Sequence, residues 1–295
     1  MEEDPIEILR RRSWTAWKAL ALQRNPPGDP DLISSKLHLA EARVAMQRAP
    51  RYLDWLRRLC LAKPPDLEAL VSEPIAELAY QLLWNKPAGL IGVESLIEAF
   101  QRIQLNETFM TDLQEVVKWA TLRANTIVAQ IQGVPETLEL HGLYSGAEIN
   151  AAFGKATIMG GGSRGTGVVT FHDQKVIVHL VTFEKTVRQF SESTMYRDFP
   201  TRPDLLHWES QSVTTQDGKL GKLYAAHEST GYKILFFSRI RKEAAIGLTS
   251  PFLFLGCGKF IDATGNRPIA IRWHLEHPMP QAHFREARVV CGLEP

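Results

Sequence analysis

The segment Lys175-Val-Ile-Val-His-Leu-Val-Thr-Phe-Glu184 decides the fold class of the second half of this chain. It is an apolar run rich in β-branched residues, which is typical of a buried β-strand. Comparable runs separated by turn residues predict strands at 167–171, 175–184, 223–227, 232–240, 252–261 and 269–275. A series of strands with at most one or two helices among them indicates a curved β-sheet or a small β-barrel.

The first half carries the periodicity of helices instead. Residues 107–131 give the clearest case, because apolar side chains recur there along one helical stripe, and Pro-rich stops separate the other helical segments. Ser145 and Glu148 form a capping box, which predicts one short helix that ends near Gly154. We therefore expect an α+β protein with an all-helical domain at 1–135 and a β-rich domain at 136–295.

Composition and charge favour a soluble globular protein. Hydrophobic residues make up 44% of the chain, charged residues 23%, and the formal net charge is +1. Cys60, Cys257 and Cys291 form no CxxC pair, and no signal peptide or membrane-spanning run is recognisable, so a cytoplasmic location without a membrane is predicted. From Thr137 onward 18 Lys and Arg stand against 15 Asp and Glu. That mild excess permits a nucleic-acid partner without requiring one.

Fragments that look like catalytic motifs lack the context that their chemistry needs. Residues 160–165 satisfy GxGxxG but lead into a strand, whereas the dinucleotide fingerprint needs a helix N-terminus there. We expect a loop instead, in which Ser163 and Arg164 can contact a nucleic-acid phosphate. A nuclease-like fragment at 203–211 lacks the lysine of that motif, and the histidines lack metal-ligand spacing. No cofactor and no metal are predicted, and no catalytic group is identified.

Residues 193–212, STMYRDFPTRPDLLHWESQS, concentrate aromatic and polar side chains between predicted strands. Aromatic rings offer stacking surfaces for a flat ring, and fixed donors and acceptors can read its edge. The same side chains can instead hold the domain together; Asp198, for example, can be a buried acceptor in a turn. Both interpretations are open at the level of the sequence.

Matching residues that extend over 140–280 give this half a family resemblance. The most specific block is His207-Trp208-Glu-Ser-Gln-Ser212. The others are Leu143-Tyr144, Gly165-Thr-Gly-Val168, Thr182-Phe-Glu-Lys185, Phe190-Ser-Glu-Ser-Thr-Met-Tyr-Arg-Asp198, Leu235-Phe-Phe-Ser-Arg239, Phe254-Leu-Gly256 and Pro268-Ile-Ala-Ile-Arg-Trp-His-Leu275. This half resembles the domain of unknown function DUF3427, which is found at the C-terminus of bacterial helicase-like and phospholipase-D-like restriction proteins.

The resemblance implies a target-recognition domain similar to the SRA-like and PUA-like readers, which flip a modified cytosine out of duplex DNA. Tyr196 and Trp208 would then stack on the base, with Phe199 as a substitute. The residues that would line or support the base pocket are Tyr196, Asp198, His207, Trp208, Ser210 and Gln211. The residues suited to phosphate contacts are Lys185, Arg188, Arg197, Arg202, Arg164 and Ser163.

The nuclease and ATPase motor that usually precede such a domain are not recognisable in this sequence. We therefore expect a module that binds double-stranded DNA in anti-phage restriction, alone, as a homo-oligomer, or with a nuclease or helicase partner. The alternative is a non-catalytic adaptor that docks such a partner through its helical domain. A hydrolase with an unrecognised site is a third hypothesis.

Overall fold

The structure is a computed structural model that describes residues 5–21, 37, 39–125, 130–161, 167–184, 197–245 and 247–294. The chain forms two compact units: Met1–Arg164 with Ala245–Pro251, called here the helical unit, and Gly165–Ala244 with Phe252–Pro295, called the sheet unit. The predicted order of helices first and a β-rich part second is confirmed. No helix within the described ranges combines the length and the apolar character that a membrane span requires.

Short helices build the helical unit, and α4 and α5 below each begin with Pro, whose fixed φ suits the first turn of a helix. The helices are α1 (Pro5–Arg11), α2 (Trp14–Ala21), α3 (Ala40–Met46), α4 (Pro50–Leu61), α5 (Pro64–Val71), α6 (Ile75–Leu83), α7 (Ala88–Ile91), α8 (Leu96–Gln104), α9 (Glu107–Leu122) and α10 (Gly146–Ala152). Its short strands are β1 (Leu143–Tyr144), β2 (Ala156–Thr157) and β3 (Gly160–Gly161).

Two sequence predictions for these helices have clear outcomes. The capping box is confirmed, because the Ser145 hydroxyl accepts from the Glu148 N–H at 3.2 Å and the Glu148 carboxylate accepts from the Ser145 N–H at 2.8 Å. The helix predicted over 107–131 ends earlier, at Leu122. Residues 126–129 of that prediction lie outside the described residues.

Buried carboxylates organise the first helices of this unit. Glu41 accepts from the backbone N–H of Trp14 at 2.8 Å, and Asp112 accepts from that of Thr15 at 2.8 Å. These N–H groups belong to the first turn of α2, where no intrahelical acceptor is available, so the two acids supply the missing partners. Burial raises the pKa of Glu41 to about 7.

One mixed sheet dominates the sheet unit. Its neighbouring strands are, in order, β4 (Val168–Phe171), β5 (Val176–Thr182), β8 (Lys233–Arg239), β11 (Phe252–Thr264), β12 (Ala270–Leu275), β7 (Leu205–Glu209) and β6 (Phe199–Arg202). The pair β5 and β8 is parallel, and the other neighbouring pairs are antiparallel. The remaining elements of this unit are α11 (Lys219–Ala225), most of β9 (Glu243–Ala245) and α12 (Gln281–Val290), whereas β10 (Leu248–Thr249) belongs to the helical unit.

Two assignments within this region differ from the sequence prediction. Residues 223–227, predicted as a strand, contain the end of α11. Strands β6 and β7 arise from the polar stretch 193–212, for which no strand was predicted. In both places tertiary packing overrides a local pattern that is short and mixed.

The sheet is strongly curved, because the rings of His179 in β5 and Trp208 in β7 stack with centroids 4.2 Å apart. Four strand spacings separate β5 from β7, which in a flat sheet would be about 19 Å. Bulges in the pairs β8–β11, β11–β12 and β6–β7 accompany this curvature, since bulges increase local twist and bend strands. The side of the sheet that carries His179 and Trp208 is called here the concave face.

Of the two predicted alternatives, a curved sheet or a small barrel, the described strands form the curved sheet and not a closed barrel. Among the described strands the sheet ends at β4 on one side and at β6 on the other, and these two do not pair. Helix α12 instead spans from one half of the sheet to the other: His283 hydrogen-bonds the hydroxyl of Ser238 in β8 at 2.8 Å, and Arg288 donates to the Thr201 carbonyl in β6 at 3.2 Å. Helix α12 therefore links β8 to the edge strand β6 through side-chain contacts.

Glycines of β11 permit the close packing of the concave face. Gly256 lies at the bulge with φ of 85°, in the left-handed region that glycine adopts without strain. A Cβ added to Gly258 would lie 2.5 Å from the ring of Phe236. The absence of a side chain at Gly258 is what allows the Phe236 ring to approach β11 so closely.

Candidate nucleic-acid interface

Strand β7 sends the predicted site residues to opposite faces of the sheet. Leu206 and Trp208 are buried, whereas Leu205, His207 and Glu209 are half-buried, in the alternation expected of a strand. Trp208, 5% exposed, lies on the concave face. His207 therefore lies on the other face, and the structure does not bring His207 and Trp208 into one pocket.

Strand register builds two rows of side chains on the face opposite the concave one. In the first row Asp262 is opposite Arg272, Arg272 is opposite His207, and His207 is opposite Phe199. The second row runs in parallel from Lys259 in β11 to Arg202 in β6. The two rows, called here the outer face, comprise Phe199, Arg202, Leu205, His207, Lys259, Asp262, Arg272 and His274.

An aromatic pair forms the centre of the outer face. The rings of Phe199 and His207 stack with centroids 4.5 Å apart and an angle of 19° between their planes. Both residues are half-buried, so part of each ring is open to solvent. A half-exposed aromatic pair on a sheet surface is a suitable platform for a flat ring.

Each guanidinium of the outer face pairs with a neighbouring carboxylate. Arg272 donates to Asp262 with Nε–Oδ1 of 2.7 Å, and Arg202 donates to Asp204 with Nε–Oδ1 of 3.0 Å. These hydrogen bonds lower the pKa of both carboxyl groups. Lys259 lies 3.3 Å from Glu276 in a third exposed pair. The outer face thus presents three cations, each in an exposed ion pair whose attraction is screened by solvent.

The opposite, concave face carries an aromatic cluster, called here the concave cluster: His179, Trp208, Tyr224, Phe236 and Trp273. The His179 ring stacks on Trp208 and meets Tyr224, Phe236 and Trp273 edge-on at centroid distances of 5.4, 4.8 and 5.8 Å. Burial, with a smaller effect of His227, lowers the pKa of His179 to about 3, so its imidazole is neutral.

Four polar atoms of the concave cluster have no hydrogen-bond partner among the described residues. They are Nδ1 and Nε2 of His179, the hydroxyl of Tyr224 and Nε1 of Trp273. His179 and Trp273 are 0% exposed and Tyr224 is 1% exposed, so water at the surface does not compensate them. Buried polar atoms are nearly always paired in proteins, which makes this concentration unusual.

The other predicted pocket residues that the structure describes make contacts that join strands. The Asp198 carboxylate accepts from the Glu209 N–H at 2.9 Å, which extends the β6–β7 pairing. The Ser210 hydroxyl accepts from the Ile269 N–H at 2.9 Å and is fully buried. The Gln211 carbonyl accepts from the Thr214 N–H at 2.9 Å in the turn that follows.

Several predicted contacts lie outside the described residues: Tyr196, Lys185, Arg188, Arg164 and Ser163. Of the predicted phosphate ligands that are described, Arg197 and Arg202 are both exposed. Arg202 belongs to the outer face, and the Arg197 N–H donates to the Glu209 carboxylate at 2.9 Å. These placements leave the assigned roles as predictions.

Sequence reasoning missed Arg272, His179 and Tyr224. Arg272 alternates with Ile271 and Trp273 in β12, so its position on the solvent side was readable from the pattern, but its neighbour His207 depends on strand order. His179 stands inside an apolar run, where a lone histidine is an informative signal. Tyr224 lies in a segment whose pattern predicts a strand, and that pattern gives no sign of its place in the concave cluster.

The helical unit contains a cleft of about 490 Å³, lined in part by Arg51, Arg58, Glu73 and Glu139. Its charged groups already serve the fold: Arg58 pairs with Glu73 at 2.7 Å, and Glu139 accepts from the Arg51 N–H at 3.0 Å at the start of α4. Nowhere in the described parts of the chain do His, Cys, Asp and Glu side chains form a group that could hold a metal ion.

Comparison with protein families shows which family the chain belongs to. The family model described as a domain of unknown function, DUF3427, matches residues 138–287, which is half of the sequence. The chain belongs to the DUF3427 family. No curated protein matches it. The DUF3427 match includes β4 to β8, β11, β12 and most of α12, so the outer face and the concave cluster both lie within the family domain.

Proposed function

We propose that this protein is a DNA-recognition module that binds double-stranded DNA on the outer face of its sheet unit. The observation that carries the proposal is the half-exposed Phe199–His207 stack, which has Arg272 directly opposite His207 in the register and Arg202 in the neighbouring row. Stacking surfaces flanked by guanidinium groups are a common means of holding nucleic acid.

Phosphate contacts are available at low cost on this face. The Arg202–Asp204 and Arg272–Asp262 pairs are exposed, and such pairs contribute little to stability because solvent screens them. A DNA phosphate can therefore replace the carboxylate as the partner of either guanidinium, with bidentate geometry retained. Nearby carboxylates keep the face from being strongly basic, so the binding should be moderate and sensitive to salt.

The family resemblance supplies the finer part of the proposal. A modified cytosine swung out of the duplex would stack on the Phe199–His207 pair, in the manner of SRA-like and PUA-like readers. The protein would serve anti-phage restriction in the cytoplasm, beside a nuclease or helicase partner. Phe199 and His207 then take the stacking role that the sequence assigned to Tyr196 and Trp208.

Fluorescence anisotropy with a short labelled duplex tests the outer face. We expect Arg202→Ala and Arg272→Ala each to weaken binding and to reduce the slope of log K against log salt by about 0.9, the value for one lost phosphate contact. Arg57→Ala is the matched control, because Arg57 is likewise exposed and paired with a carboxylate but lies in the helical unit. Equal affinity and slope in all three variants and the wild type would contradict the proposal.

A further inference from the structure

The side chain of Tyr224 fills a three-walled aromatic socket, defined by His179, Trp208 and Trp273. Its ring meets theirs edge-on at centroid distances of 5.4, 5.5 and 6.1 Å. A six-membered flat ring therefore fits between these walls. The hydroxyl of that ring has no partner, and neither have the His179 nitrogens or the Trp273 N–H in the described structure.

The phenol ring of Tyr224 thus fits the socket in size, but it does not satisfy the polar atoms of the socket walls. A neutral imidazole offers one N–H donor and one acceptor nitrogen, and the indole offers one N–H donor. A phenol ring cannot satisfy these groups through its carbon edge. A six-membered heteroaromatic ring with its own ring nitrogen, carbonyl and amine can accept from the donors and donate to the acceptor while keeping the aromatic contacts.

Helix α11, which carries Tyr224, is weakly held. It has seven residues, its N-cap Gly218 provides no side-chain hydrogen bond, and its buried residues are Gly221 and Tyr224. Tyr224 is therefore its one fully buried side chain. A short helix with so few buried contacts opens at a lower free energy than the strands of the core. Outward movement of α11 would withdraw the phenol and uncover the socket.

We infer that the concave cluster is a binding site for a small pyrimidine-like heteroaromatic ligand, with α11 as its lid and Tyr224 as the plug that the ligand replaces. His179 and Trp273 read the edge of the ring, and Trp208 and Phe236 complete the apolar walls. The site goes beyond the proposed DNA function. It lies on the opposite side of the sheet from the outer face, so the two are independent.

Isothermal titration calorimetry with the free nucleoside cytidine, in the absence of DNA, tests this inference on the full chain. We expect saturable binding to the wild type and a loss of about tenfold or more in His179→Phe, which keeps a ring in place but removes both nitrogens. Tyr232→Phe is the matched control, because among the described residues its hydroxyl hydrogen-bonds to His172, which lies outside the cluster. Equal binding by wild type and His179→Phe would overturn the inference.

Two substitutions at Tyr224 test whether its side chain blocks the socket or contacts the bound ligand. Tyr224→Ala empties the socket, so cytidine should bind more tightly than to the wild type, by about tenfold or more, because no displacement is needed. Tyr224→Phe, which preserves the fold, should unfold at an equal or higher temperature and bind cytidine no more tightly than the wild type does, because a buried unpaired hydroxyl is removed and the closed state is at least as stable. Tighter binding of phenol than of cytidine to Tyr224→Ala, or a wild type that binds no cytidine at millimolar concentration, would overturn the inference.

Discussion

The imidazole of His179 stacks on the indole of Trp208 at 4.2 Å although four strand spacings separate their strands. This contact requires a sheet that curls around its own aromatic side chains. Curling gives the sheet unit two chemically different faces: a concave one of buried rings and an outer one of exposed cations around the Phe199–His207 pair.

The close approach of Phe236 to β11 predicts that Gly258 tolerates no side chain. Gly258→Ala would place a Cβ 2.5 Å from the Phe236 ring, so we expect a loss of about 1–3 kcal/mol in the free energy of unfolding. Urea denaturation measures this. Gly167→Ala is the control in the same unit, because its Cβ would make an ordinary 3.6 Å contact. A loss no larger than that of the control would refute the packing described here.

We predict that the Ser210 hydroxyl stabilises the folded state. Ser210→Ala removes the acceptor of the buried Ile269 N–H, so the free energy of unfolding should fall by about 1–3 kcal/mol. Ser229→Ala, at an exposed hydroxyl that donates to a carbonyl within one turn, should change little. If Ser210→Ala instead unfolds like the wild type but loses DNA affinity, Ser210 contacts the base as the sequence predicts.

The raised pKa of Glu41 predicts a specific dependence of stability on pH. Its pKa is raised from 4.5 to about 7 in the folded chain, so the folded state binds the proton more tightly than the unfolded state does. The stabilisation is fully present below about pH 4.5 and is lost as the pH rises to about 7. In Glu41→Gln this contribution is absent. The difference in unfolding free energy between variant and wild type should change by about 2–3 kcal/mol over that range; parallel pH curves would contradict it.

The order of elements was readable from the sequence because its signals are local. Helical periodicity, Pro-rich stops and the Ser145–Glu148 capping box need only neighbouring residues to act. Strand order is different, since the parallel pairing of β5 with β8 and the placement of β7 beside β12 depend on contacts between distant segments. The choice between a curved sheet and a closed barrel depends on the same kind of contact, because composition does not show whether β4 and β6 pair.

The stretch that contains part of the outer face was recognisable in the sequence, but its geometry was not. The polar stretch 193–212 does provide Phe199, Arg202 and His207 to the outer face. Alternation along β7 then separates His207 from Trp208, and only strand assignment of that segment would have revealed this. Arg272 and His179 join their clusters through strands that come from other parts of the chain. No spacing in the sequence brings them together.

The most direct test of the central claim is the binding of the full chain to duplexes that are identical except for cytosine, 5-methylcytosine or 5-hydroxymethylcytosine at one position. Anisotropy at two salt concentrations separates phosphate attraction from base recognition, because the former falls with salt for all duplexes equally. We predict salt-sensitive binding to all three and a preference for one modified duplex that persists at both salts. An absence of binding to every duplex at the lower salt would contradict DNA recognition by this protein.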